Sequence, residues 1–120
     1  HHTFEDIFIC FGRGLRTLIN SKKEIGRIGS SLVPMDDALA LVAVDLVERP
    51  YYEGELPDKL MQHLLRTLAM EARICIHAVR LRGYDFHHTV EATFKALGIA
   101  ISKALEPSRT VRSTKGTIKS

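Results

Sequence analysis

Thiols are scarce in this 120-residue sequence, which holds two cysteines, Cys10 and Cys75. Both lie in apolar runs, FICF and RICIH. Two such residues make no disulfide framework and read as buried core thiols of a reducing compartment. No uninterrupted apolar run is long enough to span a membrane. No signal-peptide pattern is visible, and the first residue is His1 rather than Met, so the natural start is expected to be missing. A broad Lys/Arg stripe interleaved with aromatics is also lacking, which argues against nucleic acid as a partner. Acidic residues are absent from Pro107 to Ser120, where Arg109, Arg112, Lys115 and Lys119 stand. That tail carries much of the net charge of +3, and the body is near neutral. A small anion such as a phosphate suits this balance. What remains, 45% hydrophobic and 26% charged, is one soluble globular domain at most.

What the sequence does have is a repeat. Residues 1–6 read HHTFED and residues 87–92 read HHTVEA. His1/His87, His2/His88, Thr3/Thr89 and Glu5/Glu91 match, and the match continues at Phe8/Phe94 and Gly12/Gly98. This is a repeated helix rather than a chance tripeptide. Imidazole and carboxylate donors at a helix start suit a borderline divalent transition metal. Two copies imply two ions, or one site made of two halves. A single HH pair is more often a turn, a cap or a purification-tag remnant; the matching residues that follow argue against those readings.

Around the repeat the hydrophobic pattern alternates between helical and strand periods. Phe4, Ile7, Phe8, Phe11, Leu15, Leu18 and Ile19 form a helical stripe over residues 3–20. Gly12 and Gly14 within it predict close packing on a neighbour. Residues 21–26 (SKKEIG) form a polar connector. Candidate strands at 27–32, 40–47 and 49–53 are divided by Pro34, Asp36, Asp37 and Pro50. The run LALVAVDLV fits helix or strand by period; its valines favour strand. A helix follows, capped by Asp58, with Leu60, Met61, Leu64, Leu65, Leu68, Ala69 and Ala72 as core and His63 beside that stripe. A strand is expected over 73–82, with Ile74, Ile76, Ala78 and Leu81 inside and His77 structural. After a turn at 83–85, a last helix from about His88 to Leu105 has Val90, Phe94, Leu97, Ile101 and Leu105 as its core. The order is helix, then βββαβα. The first helix looks like the final piece of a second such unit, so the chain divides into residues 1–20, 21–106 and a basic tail, 107–120.

Helical spacing sets the candidate chemistry. Positions i and i+4 share a face, so His1 with Glu5, or His87 with Glu91, can meet at one metal, while His2 or His88 reaches another. A helix N-terminus disfavours protonated imidazole, which would keep these ligands metal-competent. His63, from a different helix, would fill a further position, although a lone flanking histidine more often bonds to backbone. In the tail, Ser113, Thr114, Lys115 and Gly116 could converge hydroxyls, ammonium and backbone N–H on phosphate oxygens. Arg27, Arg49 and Lys95 could add positive charge, although exposed basic residues are commonly just surface.

Taken together, HHTFED, GRIGSSLVPMDDALALVAVDLVERPYY, LMQHLLRTLA, HHTVEATFKAL and STKG resemble the signatures of the imidazoleglycerol-phosphate dehydratase family. The resemblance covers nearly the whole chain. It implies an α+β fold of duplicated half-domains, like the second domain of ribosomal protein S5. Each βββαβα half would pack helix-inward in a four-layer β/α/α/β sandwich whose first half is incomplete here. It implies removal of water from imidazole glycerol phosphate, in histidine biosynthesis, by a homo-oligomer of trimers assembled to 24 subunits with shared active sites. Two manganese ions per site would be held by His1, His2, Glu5, His63, His87, His88 and Glu91. The substrate phosphate would meet Arg27, Arg49, Ser113 and Lys115, with Lys95 nearby. Glu91 and Glu5 are the candidates for moving the proton. The implied compartment is the cytoplasm, or the plastid in a plant. The family also has a segment before the first HH motif, with a further ligand histidine, that this sequence does not contain. Two rivals therefore stand beside the enzyme: an inactive, truncated metal-binding assembly fragment, and a small phospholigand-binding or scaffold domain.

Overall fold

In the computed structural model, residues 2–107 are described; His1 and residues 108–120 lie outside them. Helix α1 (His2–Ser21) comes first, followed by strands β1 (Ile28–Met35), β2 (Ala38–Asp45) and β3 (Tyr51–Glu55). Helix α2 (Lys59–Ala72), strand β4 (Cys75–Arg82) and helix α3 (Phe86–Leu105) complete the order. The four strands make one sheet in the order β1-β2-β4-β3, antiparallel except for the parallel β3–β4 pair.

Alternation settles the ambiguous run as strand β2. Ala38, Ala40, Val42 and Val44 face inward, paired with β1 on one side and β4 on the other. Pro34 does not divide the strands; it lies within β1, a sheet-edge strand where its missing N–H costs no ladder bond. The reversal falls instead at Asp36–Asp37, with Asp36 at φ 49°, a conformation that Asp tolerates. Ile74, Ile76 and Ala78 are buried as expected, but Leu81 is half exposed. The register slips between Leu39 and Ala40, which pair with Arg82 and Arg80, and Leu81 turns outward. His77 lies exposed on the outer sheet face, its ring 5.8 Å from Tyr51, rather than among apolar side chains.

Helices α2 and α3 cover the inner sheet face, and α1 packs on α2. The face of α3 toward the sheet is built from small residues. Thr89, Ala92, Thr93, Ala96, Ala100 and Ala104 are buried with Leu97 and Ile101, whereas Val90, Phe94 and Leu105 are only half buried. The larger side chains point toward α1, where Phe8 meets Phe94 edge-to-face at 5.8 Å. Gly29 on β1 permits the close approach of α3: a Cβ there would stand 2.1 Å from the Ala100 carbonyl oxygen. Gly12 does the same for α1 on α2, where a Cβ would stand 2.6 Å from Glu71 Cβ. Gly14 faces open space, so its expected packing role is absent. Cys10 is exposed on α1 and Cys75 is half buried; neither is the core thiol that its neighbours suggest. The apolar stripe of α1 is only partly used, with Phe4, Ile7, Phe11 and Leu18 exposed and Leu15 buried.

Candidate active site

Three helix starts gather at one end of the molecule. Glu5 of α1 meets His63 of α2, and Arg13 meets Glu71 at the same sequence offset, so α1 and α2 run parallel. Phe4 and Phe8 of α1, Leu60, Met61 and Leu64 of α2, and Phe86, Val90 and Phe94 of α3 line one apolar cleft of about 420 Å³. Asp58 caps α2 by accepting from the Met61 N–H at 2.9 Å, and Asp85 caps α3 by accepting from the His88 N–H at 3.0 Å. The first turns of all three helices therefore border an open, apolar-lined cleft, with the imidazole and carboxylate groups of Glu5, His63, His87 and His88 carried on the same turns.

His63 Nε2 and Glu5 Oε2 are 3.0 Å apart, so two of the candidate ligands meet across different helices. His2 and Glu91 are exposed on α1 and α3. His87 is exposed and its ring stands 5.9 Å from Phe86, edge-on. His88 is more tightly held. Its Nδ1–H donates to Asp37 Oδ1 at 2.6 Å, and its Nε2 is 3.2 Å from Asp36 Oδ2. Asp85 Oδ1 is 3.8 Å from Nδ1.

Asp37 is the hub of this group. Its second oxygen accepts from the Tyr84 and Asp85 N–H groups at 2.7 and 3.0 Å. Those backbone donors, followed by His88, hold its carboxyl well below the usual range. The same hydrogen bond raises the His88 pKa above 6.5, against the opposing pull of burial. This reverses the expectation from the helix N-terminus: a directly bonded carboxylate outweighs the dipole, and His88 favours its proton while no other cation is present. The sequence reading took Asp36, Asp37 and Asp85 as turn residues and missed them as partners of His88. Only the spacing of Asp85, three before His88, pointed to a link, as an N-cap.

The basic candidates lie elsewhere. Arg27 Nε pairs with Asp45 Oδ1 at 2.9 Å, and its N–H bonds to the Ala104 carbonyl near the end of α3. Arg49 borders the same corner with Asp45, Tyr51 and Cys75. In the β1–β2 ladder, Ile28 pairs with Asp45 at this end and Met35 with Ala38 at the other, beside Asp37 and His88. Seven strand steps between them amount to about 23 Å. Lys95 is exposed two turns along α3 from His88. His1, Ser113 and Lys115 lie outside the described residues.

Relatives place this arrangement. The family model for imidazoleglycerol-phosphate dehydratase matches residues 1–101. The chain belongs to the imidazoleglycerol-phosphate dehydratase family. That family consists of hydro-lyases of histidine biosynthesis. The imidazoleglycerol-phosphate dehydratase of Pyrobaculum calidifontis is 46% identical, over 99% of this chain and 68% of its own length. That of a Geobacillus species, strain WCH70, is 45% identical over 98% of this chain and 67% of its own. The chain thus spans about two-thirds of the length of these relatives. The crystal structure of the Staphylococcus aureus dehydratase matches with a TM-score of 0.86 at 36% identity, covering 90% of this chain and 69% of that one. The Pyrococcus furiosus structure, in complex with (S)-C348, matches with a TM-score of 0.81 at 37% identity, covering 91% and 66%.

The donor chemistry fits a divalent metal, since neutral imidazole and carboxylate are the ligand types that hold one. Among the described residues, no three His, Cys, Asp or Glu side chains are placed to hold an ion together. Among the described residues the chain presents imidazole and carboxylate groups as the Glu5–His63 pair and the α3 histidines.

Proposed function

We propose that the chain catalyses the manganese-dependent dehydration of imidazole glycerol phosphate to imidazole acetol phosphate, at sites shared between copies. The observation that carries this reading is the separation of its parts. The imidazole–carboxylate donors stand where three helices begin, and Arg27 and Arg49 stand at the other end of the sheet, with the seven steps of β1, about 23 Å, separating the two ends. One phosphorylated imidazole cannot bridge that span, so the arginines serve the donors of a neighbouring copy. A closed assembly of trimers, extending to 24 subunits, would give every copy both roles. The proposed compartment is the cytoplasm, or the plastid in a plant.

In the assembled site, His1, His2, Glu5, His63, His87, His88 and Glu91 would hold two manganese ions. Bound manganese would supply Lewis acidity that lets the substrate's imidazole ring act as an electron sink. Arg27, Arg49, Ser113 and Lys115, with Lys95 nearby, fix the phosphate and so orient the carbon that loses its hydrogen. Glu91, or Glu5, takes that proton and returns it to the departing hydroxyl. Glu5 is already engaged with His63, and Glu91 is free of any such contact among the described residues, which favours Glu91 as the proton carrier.

Replacing Glu91→Gln keeps the shape and removes the base. Turnover is expected to fall by about 10²-fold or more, with the fold intact by circular dichroism. Unchanged turnover and unchanged metal content would contradict the assignment. A second reading, a metal-binding assembly fragment without turnover, is favoured by the lack, among the described residues, of three donors placed to hold an ion together. Manganese uptake without any dehydration of substrate would select it.

A further inference from the structure

We infer that Asp37 is a positioning residue that fixes the tautomer and ring orientation of His88, presenting its Nε2 outward as the donor atom. This deepens the proposed function and rests on that reading for the use made of Nε2. The assignment of the nitrogens needs no metal.

An ionised carboxylate only accepts hydrogen bonds, so the 2.6 Å contact from Asp37 Oδ1 requires the proton on Nδ1. The ring is then turned with Nε2 toward the exposed side, where Asp36 lies against it at 3.2 Å. The Asp36 side chain is 73% exposed and free to move aside, whereas that of Asp37 is 13% exposed and held. Asp37 is held because its other oxygen accepts two backbone N–H groups, from Tyr84 and Asp85, immediately before α3. One carboxylate therefore ties the tip of the β1–β2 hairpin to the start of α3 and to the ring. Gly83, at φ 133°, brings that segment over Ala38: a Cβ there would stand 3.0 Å from both Ala38 and the Thr89 hydroxyl. The hairpin and the helix start are thus locked in one register, and the imidazole inherits it. A carboxylate behind a ligating imidazole raises its basicity and fixes its direction, and removing such a partner costs 10–100-fold in metal affinity in known sites.

Asp37→Asn separates orientation from architecture. The Asn carbonyl can still accept the two backbone N–H groups, while its amide N–H₂ faces Nδ1 and requires a lone pair there. The Nε2 then carries the proton. Imidazole nitrogen NMR on the full chain, in alkaline buffer where the ring is neutral, reads this directly. The expected result is Nδ1–H in the wild type, Nε2–H in Asp37→Asn, and a similar melting temperature for both. An Nε2–H wild type would overturn the inference without any variant, as would an unchanged tautomer in Asp37→Asn. With Mn²⁺ alone as probe, the variant is expected to bind at least tenfold more weakly; equal affinity overturns the positioning role. A wild type with Nδ1–H that takes up no Mn²⁺ upholds the orientation and counts against the metal site instead.

Discussion

His88 and Asp37 set the chemistry at the residue scale, because each alters the other's protonation. The His88 pKa is raised chiefly by its hydrogen bond to Asp37, so its stabilising contribution is complete below the ordinary imidazole value of 6.5. That contribution is lost as pH rises through the raised value. The carboxyl of Asp37 is lowered by the Tyr84 and Asp85 N–H groups first, then by His88. Its contribution is complete above the ordinary 3.8 and is lost progressively as pH falls from there toward the depressed value. The unfolding midpoint of metal-free wild type should therefore decline relative to His88→Gln as pH is raised from 6.5 upward. Parallel curves for the two proteins across that interval would contradict the coupling. Little of this was legible in the sequence. The paired histidines announced themselves by repetition, but Asp37 lies 51 residues from His88 and is brought to it by a hairpin. No helical or strand period carries that information.

Elements were more readable, because burial imposes a period on them. The alternation of β2 and the stripe of α2 follow from which side chains meet the core. The expected core of α3 holds at Leu97 and Ile101 and fails at Val90, Phe94 and Leu105, for a reason that the sheet explains. Large residues at Val90 and Phe94 suggest the buried face, yet α3 lies so near β1 at Gly29 that the buried face there is made mostly of alanines and threonines. The large side chains are displaced to the helix–helix side. Such closeness is testable. Gly29→Ala places a methyl against the Ala100 carbonyl, and α3 must lift from the sheet. The cost is expected to be about 1–3 kcal/mol, read from the denaturant midpoint. A midpoint within error of wild type would mean that α3 is not seated as described.

At the scale of the whole molecule, the proposed metal donors and the proposed phosphate-binding arginines stand at opposite ends of the sheet. The Glu5–His63 pair and the α3 histidines stand at the helix starts, and Arg27 and Arg49 stand beyond the far end of the strands. The repeat made the candidate donors legible in the sequence, but nothing in a linear pattern reveals that Arg27 and Arg49 stand at the far end of the sheet from them. Mixing inactive Arg49→Ala subunits with inactive Glu91→Gln subunits should restore part of the dehydratase activity, since some shared sites then receive an intact set. A mixture as inactive as its components would place both residues in one copy's site and refute the sharing.

Apolar side chains on α1, among them Phe4, Ile7, Phe11 and Leu18, are exposed. The proposed donor Glu5 stands on the same helix, joined to His63. The decisive measurement is therefore a calorimetric titration of chelator-stripped protein with Mn²⁺, run on the full chain in its native assembly. Saturable uptake that is abolished by Glu5→Ala and by His63→Ala is the expected result. Heats no larger than dilution, or uptake indifferent to both substitutions, would contradict the account.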